Sequence, residues 1–112
     1  MSAYSSERKH EILRGDTWFG ETITINTSGT DYTGCTIKAQ FRSAQDGPIM
    51  LTKTITPDTA VNGQLIFDFG LTSADSAKLS GRVFTDIEIT LGGGEKLTPI
   101  LEVFDVTKDV TQ

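Results

Sequence analysis

The sequence predicts an all-β fold, an antiparallel immunoglobulin-like β-sandwich, and three observations lead there. Apolar and polar residues alternate at period two through most of the chain, the mark of strands with one buried face. Turn chemistry punctuates these stretches at Gly15-Asp16, Ser28-Gly29, Thr33-Gly34, Gly47-Pro48, Pro57-Asp58, Asn62-Gly63 and Gly92-Gly93-Gly94. Helix signals occur only once. The expected architecture is about six or seven strands with one short helical turn near residues 73–79. A βαβ arrangement needs several crossover helices, and the pattern does not supply them.

Each element follows from its residues. Residues 1–10 are polar and aperiodic and read as a flexible arm. Glu11 to Arg14 suits a short edge strand closed by Gly15-Asp16. From Trp18 to Thr27, Ile23 and Ile25 face one way while Thr22, Thr24 and Asn26 face the other. Ser28 to Asp31 reads as a loop. Thr36 to Ser43 alternates cleanly, with Ile37, Ala39 and Phe41 inward and Lys38, Gln40 and Arg42 outward. Ile49 to Thr56 is rich in β-branched residues and ends at Pro57.

Asn62-Gly63 reads as a two-residue hairpin turn, because both residues tolerate positive φ. The next strand sets Leu65, Phe67 and Phe69 on one face. Thr72 is placed to cap a helical turn, Asp75 falls in its first turn, and Gly81 lies beyond its end. Arg82 to Leu91 alternates again, and after three glycines Lys96 to Val106 returns beside it. The sandwich is therefore expected over 11–107, with 108–112 a polar tail.

A chain of 112 residues fits one domain. Its 10 basic and 15 acidic residues give a formal net charge of −5, which disfavours nucleic acid and anionic membrane surfaces as partners. Cys35 is the only cysteine, so no intrachain disulfide can form and a reducing compartment is expected. Met1 to Arg14 contain no apolar run, and no stretch approaches the roughly 20 apolar residues that cross a bilayer. The expected place of synthesis is the cytoplasm.

Catalytic signatures fail one by one. His10 is the only histidine, and a flexible arm cannot hold a base in place. One His and one Cys are too few soft ligands for a structural zinc site, and no calcium loop is present. Asp86 and Glu88 share one face of a strand at a spacing that could suit a glycosidase pair, but they read as charges on a solvated face. Gly92-Gly93-Gly94-Glu95-Lys96 precedes a strand where a phosphate-binding loop opens a helix, so it reads as a hairpin turn. Arg14-Gly15-Asp16 matches an integrin tripeptide and is also ordinary turn chemistry. No catalytic, cofactor or metal site is expected.

The order of features is more informative than any single motif. Leu13-Arg14-Gly15-Asp16-Thr17-Trp18 is followed by an alternating strand and by Tyr32-Thr33-Gly34-Cys35-Thr36-Ile37-Lys38-Ala39-Gln40-Phe41-Arg42. Then come Gly63-Gln64-Leu65, the capped turn from Leu71 to Gly81, Phe84-Thr85-Asp86-Ile87-Glu88, and a last strand ending Asp105-Val106-Thr107. Over about residues 12–107 this resembles the small β-sandwich domain of phage and prophage structural proteins, best known as the amino-terminal domain of siphophage upper baseplate proteins. The resemblance implies a non-enzymatic virion part that docks in a tail, baseplate, neck or fibre assembly.

Longer members of that family continue into a fibre or receptor-binding region. A single domain is expected to act as a free-standing adaptor or as a subunit repeated around a symmetric structure, with other virion proteins as partners. Candidate partner-binding residues are Tyr4, Arg8, Trp18, Phe19, Tyr32, Lys38 and Arg42. Aromatics anchor interfaces, and Lys38 and Arg42 share an exposed strand face. The alternative is a carbohydrate- or receptor-binding sandwich using Tyr4, Trp18, Phe19 and Tyr32 as its aromatic platform.

Overall fold

Alternation at period two becomes seven strands in a computed structural model that describes residues 6–43 and 47–107. They are β1 (Ser6–Leu13), β2 (Trp18–Asp31), β3 (Thr36–Arg42), β4 (Ile49–Ile55), β5 (Thr59–Leu71), β6 (Gly81–Thr90) and β7 (Lys96–Thr107), with helix α1 (Ser73–Ser76) between β5 and β6. Five strands form one sheet in the order β1-β7-β6-β3-β4, and β2 pairs with β5 in the other. The order β7-β6-β3 facing a β2–β5 pair is the immunoglobulin arrangement, with β4 added beside β3 as in variable-type domains.

Inward residues of both sheets meet in one core. Phe41, Phe67, Phe69, Phe104, Ile37 and Ile87 are fully buried there. In β3 and β6 every second residue is buried, as alternation requires. Cys35 joins this core, and burial pushes its thiol up from the ordinary value.

Four local expectations need correction. Residues 6–10 are not an arm: they form most of β1, which runs parallel to β7 from Ser6 opposite Ile100 to Leu13 opposite Thr107. That pair is also the exception to an otherwise antiparallel fold. Pairing with a neighbour's main chain makes a strand without any apolar alternation, so the residues before Ile12 carry no sequence signal. Residues 1–5 and the expected tail 108–112 lie outside the described residues.

Ser28 to Asp31 is not a loop, because β2 continues through it with Gly29 at φ +89°. Asn62-Gly63 is not a hairpin turn. Both residues lie inside β5, where Gly63 (φ +87°) faces a shift in the β2–β5 register between Asn26 and Asp31. Bulges and tight turns both demand positive φ, so the same dipeptide serves either.

The capped turn forms as expected, although α1 itself is shorter than 73–79. Thr72 Oγ1 accepts from the Asp75 amide at 3.1 Å, and Asp75 Oδ2 accepts from the Thr72 amide at 3.0 Å. Lys53 from β4 donates to the same carboxylate oxygen at 2.7 Å. Ser76, fully buried, accepts from the Gly15 amide and donates to the Asp16 carbonyl, which fastens the 14–17 turn to α1.

Burial, the strongest single influence on Asp75, pushes its carboxyl up. The Lys53 ammonium with the Thr72 amide and hydroxyl outweighs it, leaving the carboxyl below the ordinary range. A carboxyl lowered by folding stabilises the protein above its unfolded pKa, about 3.9, and that contribution is lost as pH falls through the folded value. Asp75→Ala is thus expected to cost about 1 kcal/mol at pH 7. In paired thermal melts the gap to wild type should close below about pH 4; a gap independent of pH would contradict the Lys53–Asp75 assignment.

Candidate functional site

A buried carboxylate singles out one region. Along β7, Ile100, Glu102, Phe104 and Val106 take the inward phase, so Glu102 points into the core and is 0% exposed. Opposite it in register stand Arg8 on β1 and Thr85 on β6. Two residues further along β1, His10 donates through Nε2 to Glu102 Oε1 at 2.8 Å. Glu21 from the second sheet brings Oε2 to 3.8 Å from the same nitrogen.

Gly20 explains how β2 contributes. Trp18 pairs with Leu71 and Glu21 with Phe69, so β2 spends one more residue than β5 between these points. The bulge sits at Gly20, whose φ is +75°. It shifts the alternation by one, so Trp18 faces inward and so do Glu21, Ile23 and Ile25. Phe19 is turned out and is 92% exposed. The neighbouring aromatics, one expectation in the sequence, thus have opposite fates.

Trp18 closes the site from the side. Its ring lies 4.7 Å from the His10 ring and meets Phe104 and Phe69 edge-on at 5.1 and 5.4 Å. Phe104 holds the imidazole from within the core at 5.1 Å. His10 is therefore fixed on a strand between aromatics, which corrects its expected place in a flexible arm.

No family model matches the chain, and no curated protein matches it. Among solved structures, the chain is similar to an uncharacterized protein from Bacillus anthracis, 17% identical, covering 88% of this chain and 77% of that one with a TM-score of 0.37. A likeness of that degree carries no argument about fold or function.

The other sequence candidates are dispersed. Tyr4 lies outside the described residues. Arg8 belongs to β1. Tyr32 is 2% exposed, with its hydroxyl on Thr27 Oγ1 at 3.1 Å, so its ring is core and is not offered to a partner. Lys38 reaches Glu88 at 3.8 Å and Arg42 reaches Asp86 at 3.3 Å, making cross-strand ion pairs on the outer sheet face. Asp86 and Glu88 are thus occupied with basic neighbours.

Gly92 to Gly94 form the β6–β7 turn, closed by the Leu91 amide on the Glu95 carbonyl and the Gly94 amide on the Leu91 carbonyl, both at 2.8 Å. This turn and the β2–β3 connection bound a shallow polar concavity of about 370 Å³. Asp31 lines it, its carboxyl held below the ordinary range by the Thr33 hydroxyl and amide.

Sequence reasoning missed Glu21 and Glu102. The signal was phase: each is a charged residue on the inward phase of its strand, in step with Ile23 and Ile25 or with Ile100 and Phe104.

Proposed function

We propose that this chain is a non-catalytic docking subunit, a structural or adaptor part of a phage-type virion assembly. The assembly class is supported by the ordered motifs from Leu13 to Thr107. The docking role is supported above all by Phe19, a large aromatic that the Gly20 bulge holds 92% exposed. An aromatic ring buries roughly 150–250 Å² when covered, so a partner that covers Phe19 gains a strong anchor.

Strand edges supply the second element of such a surface. Among the described residues β2 and β5 pair only with each other, leaving one edge of each outside the ladder. Exposed edges are what a neighbouring subunit extends or covers in a symmetric assembly. Other virion proteins or further copies of this chain are the partners this reading names, with synthesis in the host cytoplasm and residence in the particle. The carbohydrate-binding alternative relies on an aromatic platform of Tyr4, Trp18, Phe19 and Tyr32; with Tyr32 buried and Trp18 partly buried, Phe19 is the exposed member of that platform among the described residues.

Phe19→Ser tests the reading. The variant is expected to keep wild-type stability within about 0.5 kcal/mol, since the side chain packs on little. Quantitative mass spectrometry of purified particles should find the wild-type chain incorporated and the variant strongly reduced. Absence of the wild-type chain from particles would sink the virion role. Equal incorporation of both would remove Phe19 from the interface.

A further inference from the structure

We propose that His10, Glu21 and Glu102 form a binding site for a divalent first-row cation, with zinc the metal best matched to it. The three residues come from β1, β2 and β7, so both sheets contribute. His10 Nε2 lies 2.8 Å from a Glu102 oxygen and 3.8 Å from a Glu21 oxygen, and the three donor atoms all fall within 4.8 Å of one another. Donors bound tetrahedrally to zinc at about 2.1 Å stand about 3.4 Å apart, so small side-chain adjustments close the site. One imidazole with two carboxylates is a borderline-to-hard set that suits zinc better than soft metals.

A second observation points to the same place. Thr85 is fully buried on the inner face, directly opposite Glu102 in the β6–β7 register. Its hydroxyl makes no hydrogen bond to any described residue. A water completing the cation's coordination would give that hydroxyl a partner, as outer groups commonly do around metal sites. The site is also reachable: the His10 and Glu21 side chains keep 19% and 23% exposure at the seam between the β1 and β2 edges, while Glu102 forms the floor.

Binding needs the Nε2 lone pair. The proton on Nε2 moves to Nδ1 or leaves to solvent, and metal bonds replace the His10–Glu102 hydrogen bond. One ion then ties three strands across the two sheets and fixes β1, which also sends Ile12 into the core. These three residues are distinct from Phe19, the anchor of the docking surface.

Trp18, the sole tryptophan, is a built-in reporter because its ring lies 4.7 Å from that of His10. The full chain, stripped with chelator, is titrated with Zn²⁺ at neutral pH while Trp18 emission and the melting temperature are followed. Expected is a saturable one-to-one change in emission and a rise in melting temperature, reversed by chelator. Glu21→Gln, a partly exposed position where the fold should survive, is expected to weaken affinity at least about tenfold. His10→Gln should weaken it further. No saturable response up to millimolar Zn²⁺ would overturn the site and leave the cluster a structural pin. A response unchanged in both variants would place the ion elsewhere and overturn it equally.

Discussion

Phe104→Ala is expected to remove about 3–5 kcal/mol of stability, the range for deleting a fully buried aromatic. Domains of this size hold only about 5–15 kcal/mol in total, so one truncation takes a large share. The position explains why the cost should fall at the upper end. Phe104 is fully buried on β7 and lies within 5.1 Å of both Trp18 and His10, 6.0 Å of Phe41 and 6.1 Å of Phe69. It bridges rings from β1, β2, β3 and β5, so neighbours on four strands would have to move together to fill the cavity.

Urea denaturation should show a lowered midpoint with an unchanged slope, the sign of lost stability without a change in the unfolded state. The near-UV signal of Trp18 should weaken, because two of its three ring contacts run through Phe104 or the His10 that Phe104 supports. Phe104→Leu keeps most of the volume and should cost clearly less. A cost below about 1 kcal/mol for Ala would mean that these rings do not pack around one centre.

How far the sequence discloses this arrangement depends on which interactions are local. In β3 and β6 one face is buried and the other wet, and that contrast is written residue by residue. The Thr72–Asp75 cap is likewise local, spanning three positions. β1 is different: its partner lies more than ninety residues away, as in the His10–Glu102 contact, and a parallel edge strand can form on main-chain pairing alone. Nothing before Ile12 advertises it.

Cross-strand pairs show the same limit. Lys38 and Arg42 are recognisable as an outward basic pair, but their partners Glu88 and Asp86 depend on register, which no single strand specifies. Glycines are ambiguous for another reason. Seven have positive φ, and no described residue of another type does, yet Gly63 and Gly20 serve bulges where Gly15 and Gly94 serve turns. The residue type announces the dihedral angle and leaves its purpose open. The candidate site depends on one of these ambiguous glycines, since without the Gly20 bulge Trp18 and Glu21 could not both face inward.

Gly20→Ala is therefore expected to cost about 3 kcal/mol or more and to disturb the site and the docking surface together. Two penalties combine. At φ +75° a Cβ is disfavoured by roughly 1–2 kcal/mol. In addition, that Cβ would stand 1.8 Å from the Phe69 carbonyl oxygen and 2.7 Å from its carbon, which are backbone atoms of the partner strand that no rotamer change can move. The strand must separate from β5 or lose its bulge, and losing the bulge returns Phe19 toward the interior phase. Gly15→Ala isolates the first penalty, because Gly15 has φ +92° and nothing within 4 Å of its Cβ position; it should cost only about 1 kcal/mol. Denaturation of the two variants side by side, with Trp18 emission as the local probe, separates the effects. The Gly20 variant should melt well below the Gly15 variant and show altered Trp18 emission, while Gly15→Ala leaves emission unchanged. Equal costs would show that β2 and β5 do not approach closely at the bulge, and the outward presentation of Phe19 would lose its physical cause.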